Sequence, residues 1–248
     1  MAFTWPSFGQ NPCGSAAYRP VAGFCVGLEG SAQVRDISPL EKSVGSLSAR
    51  FPQLMARVRQ NGYRYIHVRG PKPGETGGAV LAETIRVQKL IVIYQDFFTV
   101  VQASEHLRAL PFSVAEVSLL HELLHAYDEN NAVFEKIYPW LGWKSLGRIS
   151  KDRFKDPSTG LSNLWILGSE LARLKNQLSP YLNTHGPWFV YLQARNQMKM
   201  YGYPSIYSVL GGPMETFAEM GAYIALDPEA GSYMPDQIVR WYKQYVLR

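Results

Sequence analysis

The run "HELLHAYDENN", which begins at His121, constrains this chain more than any other stretch. Two of only five histidines stand four residues apart around a glutamate, in a segment otherwise rich in leucine. On a helix, residues four apart lie one above the other on the same face, so His121 and His125 can direct two imidazole nitrogens at one ion. In the H-E-x-x-H pattern the histidines bind zinc and the glutamate, here Glu122, sits beside the water that attacks the substrate. Leu120, Leu123 and Leu124 would pack the remaining helix surface into a core. As ordinary core residues, the histidines and the glutamate would be polar groups buried at a cost. The segment is therefore expected to be a helix and part of a metal site.

A catalytic zinc takes three protein ligands and keeps a fourth position open. The sequence offers the missing ligand in "ETFAE", where Glu215 and Glu219 are again four apart on a predicted helix. One carboxylate can bind the metal while the other accepts the N–H of a ligand histidine and fixes its tautomer. Two helices that each carry a polar pair at this spacing are harder to explain as coincidence than either alone.

The rest of the chain supplies a framework for those helices. Residues 1–45 hold several glycines and prolines without clear periodicity, and read as an irregular N-terminal segment packed on the body. Residues 46–248 then read as one catalytic domain. "SLSARFPQLMARVRQNGY" sets Leu47, Phe51, Leu54 and Val58 at helical spacing and stops at Asn61-Gly62. "YRYIHVRG" alternates as a strand does, "PKPGETGG" is a loop, and "TIRVQKLIVIY" is one long strand or a bent pair. "SVAE", Ser113 to Glu116, is a capping box that starts the HELLH helix. After a loop-rich stretch from Pro139, "LSNLWILGSELARLKNQL" and "PWFVYLQARNQMKMYG" read as two helices. Pro213 opens the ETFAE helix, Asp227-Pro228 closes it, and "PDQIVRWYKQYVLR" forms a final amphipathic helix.

"HELLHAYD" together with "ETFAE" resembles the gluzincin metallopeptidases, and most closely the catalytic domain of anthrax lethal factor and the Pro-Pro endopeptidase group. The resemblance covers these motifs and, loosely, the helix–sheet–helix order from Leu47 onward. It implies an α+β, zincin-like metallopeptidase domain, mostly helical with a small mixed sheet. It also implies Glu215 as third zinc ligand, Glu219 as the carboxylate behind a ligand histidine, and Asp128 as a further acidic residue of the site. A tyrosine shortly before the second helix would hydrogen-bond the oxyanion; Tyr207 is nearest by spacing, with Tyr201 and Tyr203 close by. Thr216 departs from the family's pattern, which has an aromatic there, and the interval between His125 and Glu215 is longer than in the closest comparison. The expected activity is zinc-dependent endopeptidase hydrolysis, with Zn2+ as cofactor, Glu122 as general base and a protein or peptide as substrate. An extended peptide would add to an edge strand above the metal, for which Leu90 to Tyr94, or the segment just after it, is the candidate. The rivals are a zinc amidase acting on cell-wall or other amides, and a zinc-binding protein without turnover.

Composition narrows the partners. The net charge of +5 and pI of about 9.1 come from scattered basic residues with no Lys/Arg block, so nucleic acid is not the expected partner. The longest apolar run, "KLIVIYQDFFTVV", is interrupted by Gln95 and Asp96, so no membrane span is expected. Cys13 and Cys25 suit one local disulfide in an oxidising compartment, or stand as two thiols. No signal peptide is visible at the start of the chain. Composition leans toward a secreted or periplasmic protein and leaves a cytoplasmic one open; oligomeric state is not legible.

Overall fold

A computed structural model of the chain describes residues 13–14, 17–30, 32–73, 80–107, 110–129, 192–193, 195–196, 198–199, 203–205, 208, 213–234 and 236–248. Contacts gather the chain into two units, Met1–Tyr127 and Asp128–Arg248.

In the first unit, the segment expected to be irregular carries regular structure. Strands β1 (Tyr18–Val21) and β2 (Phe24–Leu28) form an antiparallel hairpin in which Tyr18 pairs with Gly27 and Val21 with Phe24. Its two-residue turn holds both Ala22 (φ 47°) and Gly23 (φ 85°) in the left-handed region, the geometry that matches the right-handed twist of the strands. Cys13 and Cys25 are joined by a disulfide that ties the chain ahead of β1 to β2. Nor is residue 45 a boundary, because it lies inside helix α1 (Ser38–Arg50).

The helix expected to run on to Gln60 is broken in two. Pro52 opens α2 (Pro52–Gln60) at a position where its missing N–H is not needed. Its ring drives the preceding residue out of the helical region, and Phe51 sits at φ −129°, ψ 60°.

Strand β3 (Tyr65–Arg69) buries Ile66 and Val68 completely and turns Tyr65, His67 and Arg69 to the opposite face. "TIRVQKLIVIY" resolves into a bent pair: β4 (Ala82–Ile85), a 3-10 turn over Arg86–Gln88 and β5 (Leu90–Tyr94), with Lys89 at φ 52° completing the reversal. The sheet order is β1-β2-β3-β5-β4; β2, β3 and β5 are parallel, while β1 and β4 are antiparallel to their neighbours. The coarse expectation of an α+β fold with a small mixed sheet holds.

The expected edge strand does not. Leu90–Tyr94 lies between β3 and β4, and the segment just after it is helix α3 (Gln95–Leu107). An uninterrupted apolar run suits a strand covered on both faces, and every residue of β5 is buried. The edge beside β5 is β4. Helix α4 (Val114–Tyr127), which carries HELLH, packs against α1, α2, α3, β4 and β5, so residues 119 through 126 are all buried.

The sheet face turned away from Ile66 and Val68 carries the buried apolar cluster of Leu90, Val92 and Tyr94, with polar side chains beside it. Tyr18 lies across Gly27, where a Cβ would come within 2.5 Å of its ring, and its hydroxyl meets His67 Nε2 at 2.8 Å. His67 Nδ1 contacts Glu29 at 2.5 Å, and Arg69 donates to both oxygens of Glu29 at 2.7 and 3.0 Å. Further along, Glu83 accepts from Lys72 and Tyr94.

In the second unit, α5 (Pro213–Leu226) buries Phe217, Ala218, Met220, Ala222 and Tyr223. A helical turn (Ala230–Tyr233) and α6 (Asp236–Tyr245) follow, and Tyr242 donates to the Phe217 carbonyl at 2.8 Å. Asp227 closes α5 as expected, donating its N–H to the Tyr223 carbonyl at 2.8 Å. Its buried carboxylate receives Arg195 at 2.5 Å and the Tyr233 hydroxyl at 2.9 Å. Of the helix expected over 187–202, the described positions from 192 to 199 are helical. The helix expected over 161–178 and the loop from 139 lie outside the described residues. No helix among the described residues is long and apolar enough to cross a membrane.

Candidate metal centre

Helix α4 is fixed at both ends. At its start the Glu116 N–H reaches the Ser113 hydroxyl at 3.4 Å and the Val117 N–H donates to the Ser113 carbonyl at 3.0 Å, as a serine N-cap provides. The Glu116 carboxylate accepts from Arg50 on α1 at 3.2 Å. At the other end, the last carbonyls of a helix have no partner within it. Asn61, at the close of α2, donates its side-chain amide to the carbonyls of Ala126 at 2.8 Å and Tyr127 at 3.0 Å. The residue that stops one helix caps the other.

Between these anchors His121 and His125 face each other edge to face, with ring centroids 4.7 Å apart and their Nε2 atoms 3.0 Å apart. Both are buried, as is Glu122 between them. Nitrogens bound tetrahedrally to one ion at about 2.0–2.1 Å stand roughly 3.3 Å apart, so this spacing needs little adjustment to accept a metal. Glu122 Oε1 lies 3.9 Å from His121 Nε2. Its other oxygen, Oε2, lies 2.8 Å from the hydroxyl of Thr84 on β4. In the second unit, Glu215 is half-buried in the first turn of α5. Two imidazoles and a carboxylate suit several divalent ions, so the donor set alone does not select one.

The remaining expected site residues divide. Glu219 is half-buried on α5, and its Oε2 accepts from the Ser205 hydroxyl at 3.1 Å. Ser205 in turn accepts the Ser208 N–H at 3.1 Å, and Thr216 donates to the Ser208 carbonyl at 2.5 Å. Thr216, the departure from the family pattern, thus anchors the first turns of α5 to the segment ahead of it, a bond a phenylalanine could not make. Asp128 is buried one residue beyond α4. Tyr207 lies outside the described residues, as does Tyr201, whereas Tyr203 is buried.

Neither protein-family models nor curated proteins nor solved structures give a match to this chain. What the site can do is therefore argued from its side chains. A buried carboxylate beside two converging imidazoles is equipped to take a proton from a water held near them and to pass it on. Sequence reasoning missed two residues that position this group. Asn61 carried a signal, but one read only as a helix stop. Thr84 carried none, because a threonine in a strand is the ordinary case.

Proposed function

We propose that the chain is a zinc-dependent endopeptidase of gluzincin type. The observation that carries the reading is the pair of Nε2 atoms of the buried residues His121 and His125, 3.0 Å apart, with the Glu122 carboxylate beside them. A helix has no packing reason to set two imidazole nitrogens and a carboxylate together in its most buried stretch, and leaving them there without an ion is costly. His121, His125 and Glu215 are the proposed ligands, since two imidazoles and a carboxylate are a donor set of catalytic zinc sites and leave the fourth position open.

Bound zinc would polarise the scissile carbonyl and bring the pKa of water toward about 7. Glu122 takes the proton from the attacking water and delivers it to the leaving amine, since one carboxylate within reach of both can act first as base and then as acid. Tyr207 is the proposed donor to the oxyanion; loss of one such donor typically costs about 3 kcal/mol of transition-state stabilisation. Glu219 and Asp128 are the supporting carboxylates. The antiparallel edge strand β4, which packs on α4, offers backbone groups to which an extended peptide can add.

The test is zinc content by elemental analysis on wild type and Glu215→Ala, with cleavage of a peptide library by both and by Glu122→Ala. One zinc per chain in wild type, weaker binding in Glu215→Ala, and a Glu122→Ala protein that keeps zinc but does not cleave are expected. A wild type that takes up no zinc after reconstitution refutes the reading. A metallated wild type that cleaves other amides but no peptide refutes the choice of substrate.

A further inference from the structure

Resting on that reading, we propose that Thr84 is a positioning residue for Glu122, holding one carboxylate oxygen so that the other faces the histidine ligands. Thr84 pairs with Ile91 across β4 and β5, and Ile91 is completely buried, so the threonine side chain stands on the sheet face that packs against α4. Its Oγ1 lies 2.8 Å from Glu122 Oε2 and 2.9 Å from the Glu122 main-chain carbonyl.

A hydroxyl has one proton and can donate it to only one of these oxygens at a time. In a helix the carbonyl already accepts the N–H of the residue four further on. The carboxylate oxygen has no such helical donor and is the nearer of the two acceptors. The proton therefore goes to Oε2. With that oxygen held, Oε1 is the one left 3.9 Å from His121 Nε2, on the side where the ligand nitrogens converge. A carboxylate without this tether could turn about its last bond, a broad two-fold torsion, and lose the alignment a general base requires.

The geometry assigns the role to the hydroxyl and not to the bulk of the side chain. Thr84→Val keeps the shape and removes the donor; Thr84→Ser keeps the donor and drops a methyl. In zinc-loaded protein, Thr84→Val is expected to lower kcat about tenfold or more with KM nearly unchanged, since small misplacements of catalytic groups can cost up to about 10²-fold. Thr84→Ser is expected to restore most of the rate. In the Glu122→Gln background the Thr84→Val change should have no further effect on residual turnover.

A second readout does not depend on turnover. Zinc content should equal wild type in both Thr84 variants, and a crystal structure of Thr84→Val should show the Glu122 carboxylate rotated from its wild-type orientation. Wild-type kcat in Thr84→Val, a loss that serine does not restore, or a Glu122 orientation unchanged by valine each overturns the inference while leaving the peptidase reading intact. A wild type without zinc or cleavage overturns both.

Discussion

Asp227 offers the sharpest test of how the helix that bears Glu215 is held. Its side chain is completely buried and that of Arg195 is 5% exposed, so each ion has surrendered its water. Replacing Asp227 with Asn preserves shape and leaves one oxygen for the Glu229 N–H, which now meets Oδ1 at 3.0 Å, while an amide nitrogen replaces Oδ2, the oxygen that receives the Tyr233 hydroxyl at 2.9 Å and the Arg195 guanidinium. What it removes is the charge facing the Arg195 guanidinium. A buried pair broken on one side costs about 3–5 kcal/mol, because the surviving ion is left uncompensated. At about 1.4 kcal/mol per factor of ten, amide protection along α5 should fall by roughly 10²-fold or more. Removing both ions together, as Arg195→Met with Asp227→Leu, should cost far less, within about 1–2 kcal/mol, since no buried charge is stranded. The assay is hydrogen exchange of the α5 amides, backed by urea denaturation of the single and double variants. A loss under about 1 kcal/mol in Asp227→Asn, or a double variant as unstable as the single, would show that the pair is not the desolvated bond described.

Three further outcomes follow from the first unit. Gly27→Ala should push the Tyr18 ring off β2, breaking its bond to His67 and costing about 1–3 kcal/mol; a melting temperature equal to wild type would refute the close approach. Hydrogen bonds from Arg69, and then from His67, hold the Glu29 carboxyl below its ordinary range. With the folded pKa depressed, the stabilisation is present above the unfolded value and is lost as pH falls through the folded one. Denaturation midpoints of wild type and Glu29→Gln should therefore differ at pH 6 and converge on acidification, and a constant difference would contradict this. Reduction of the Cys13–Cys25 disulfide, or Cys25→Ser, should cost about 2–3 kcal/mol for a loop of this size, read as a lower denaturation midpoint that added reductant does not lower further in the variant.

The parts of the fold legible in the sequence were those with a local cause. The Ser113 cap, the Asp227 stop and the β3 alternation each follow from two or three residues, and each stands where expected. The α1–α2 break was equally local, written in Pro52, yet a sound apolar spacing across it concealed the interruption. The β1–β2 hairpin was hidden because its turn is Ala-Gly, without the asparagine or aspartate that usually marks such a reversal, and because Pro20 weakens the strand signal. Non-local facts were not legible at all: that β5 lies inside the sheet depends on what pairs with it, and Thr84 meets Glu122 across 38 positions of chain. His121, Glu122 and His125 could be found from sequence because one helix places them. The side chains that orient them could not, because other elements bring them in.

The burial of α4 on every side from Leu119 to Ala126 has a consequence for any survey of substitutions along it. A helix with one wet face tolerates change with a rhythm of about 3.6 residues, and that rhythm is how amphipathic helices announce themselves. From Leu119 to Ala126 every position is buried, so tolerance should be uniformly low and the rhythm absent. Drift in related chains would then be confined to its ends, where Val114, Glu116, Ser118 and Tyr127 are only half covered. The eight residues between them would be inherited as a block, the leucines for their volume and the three polar side chains for the roles proposed for them.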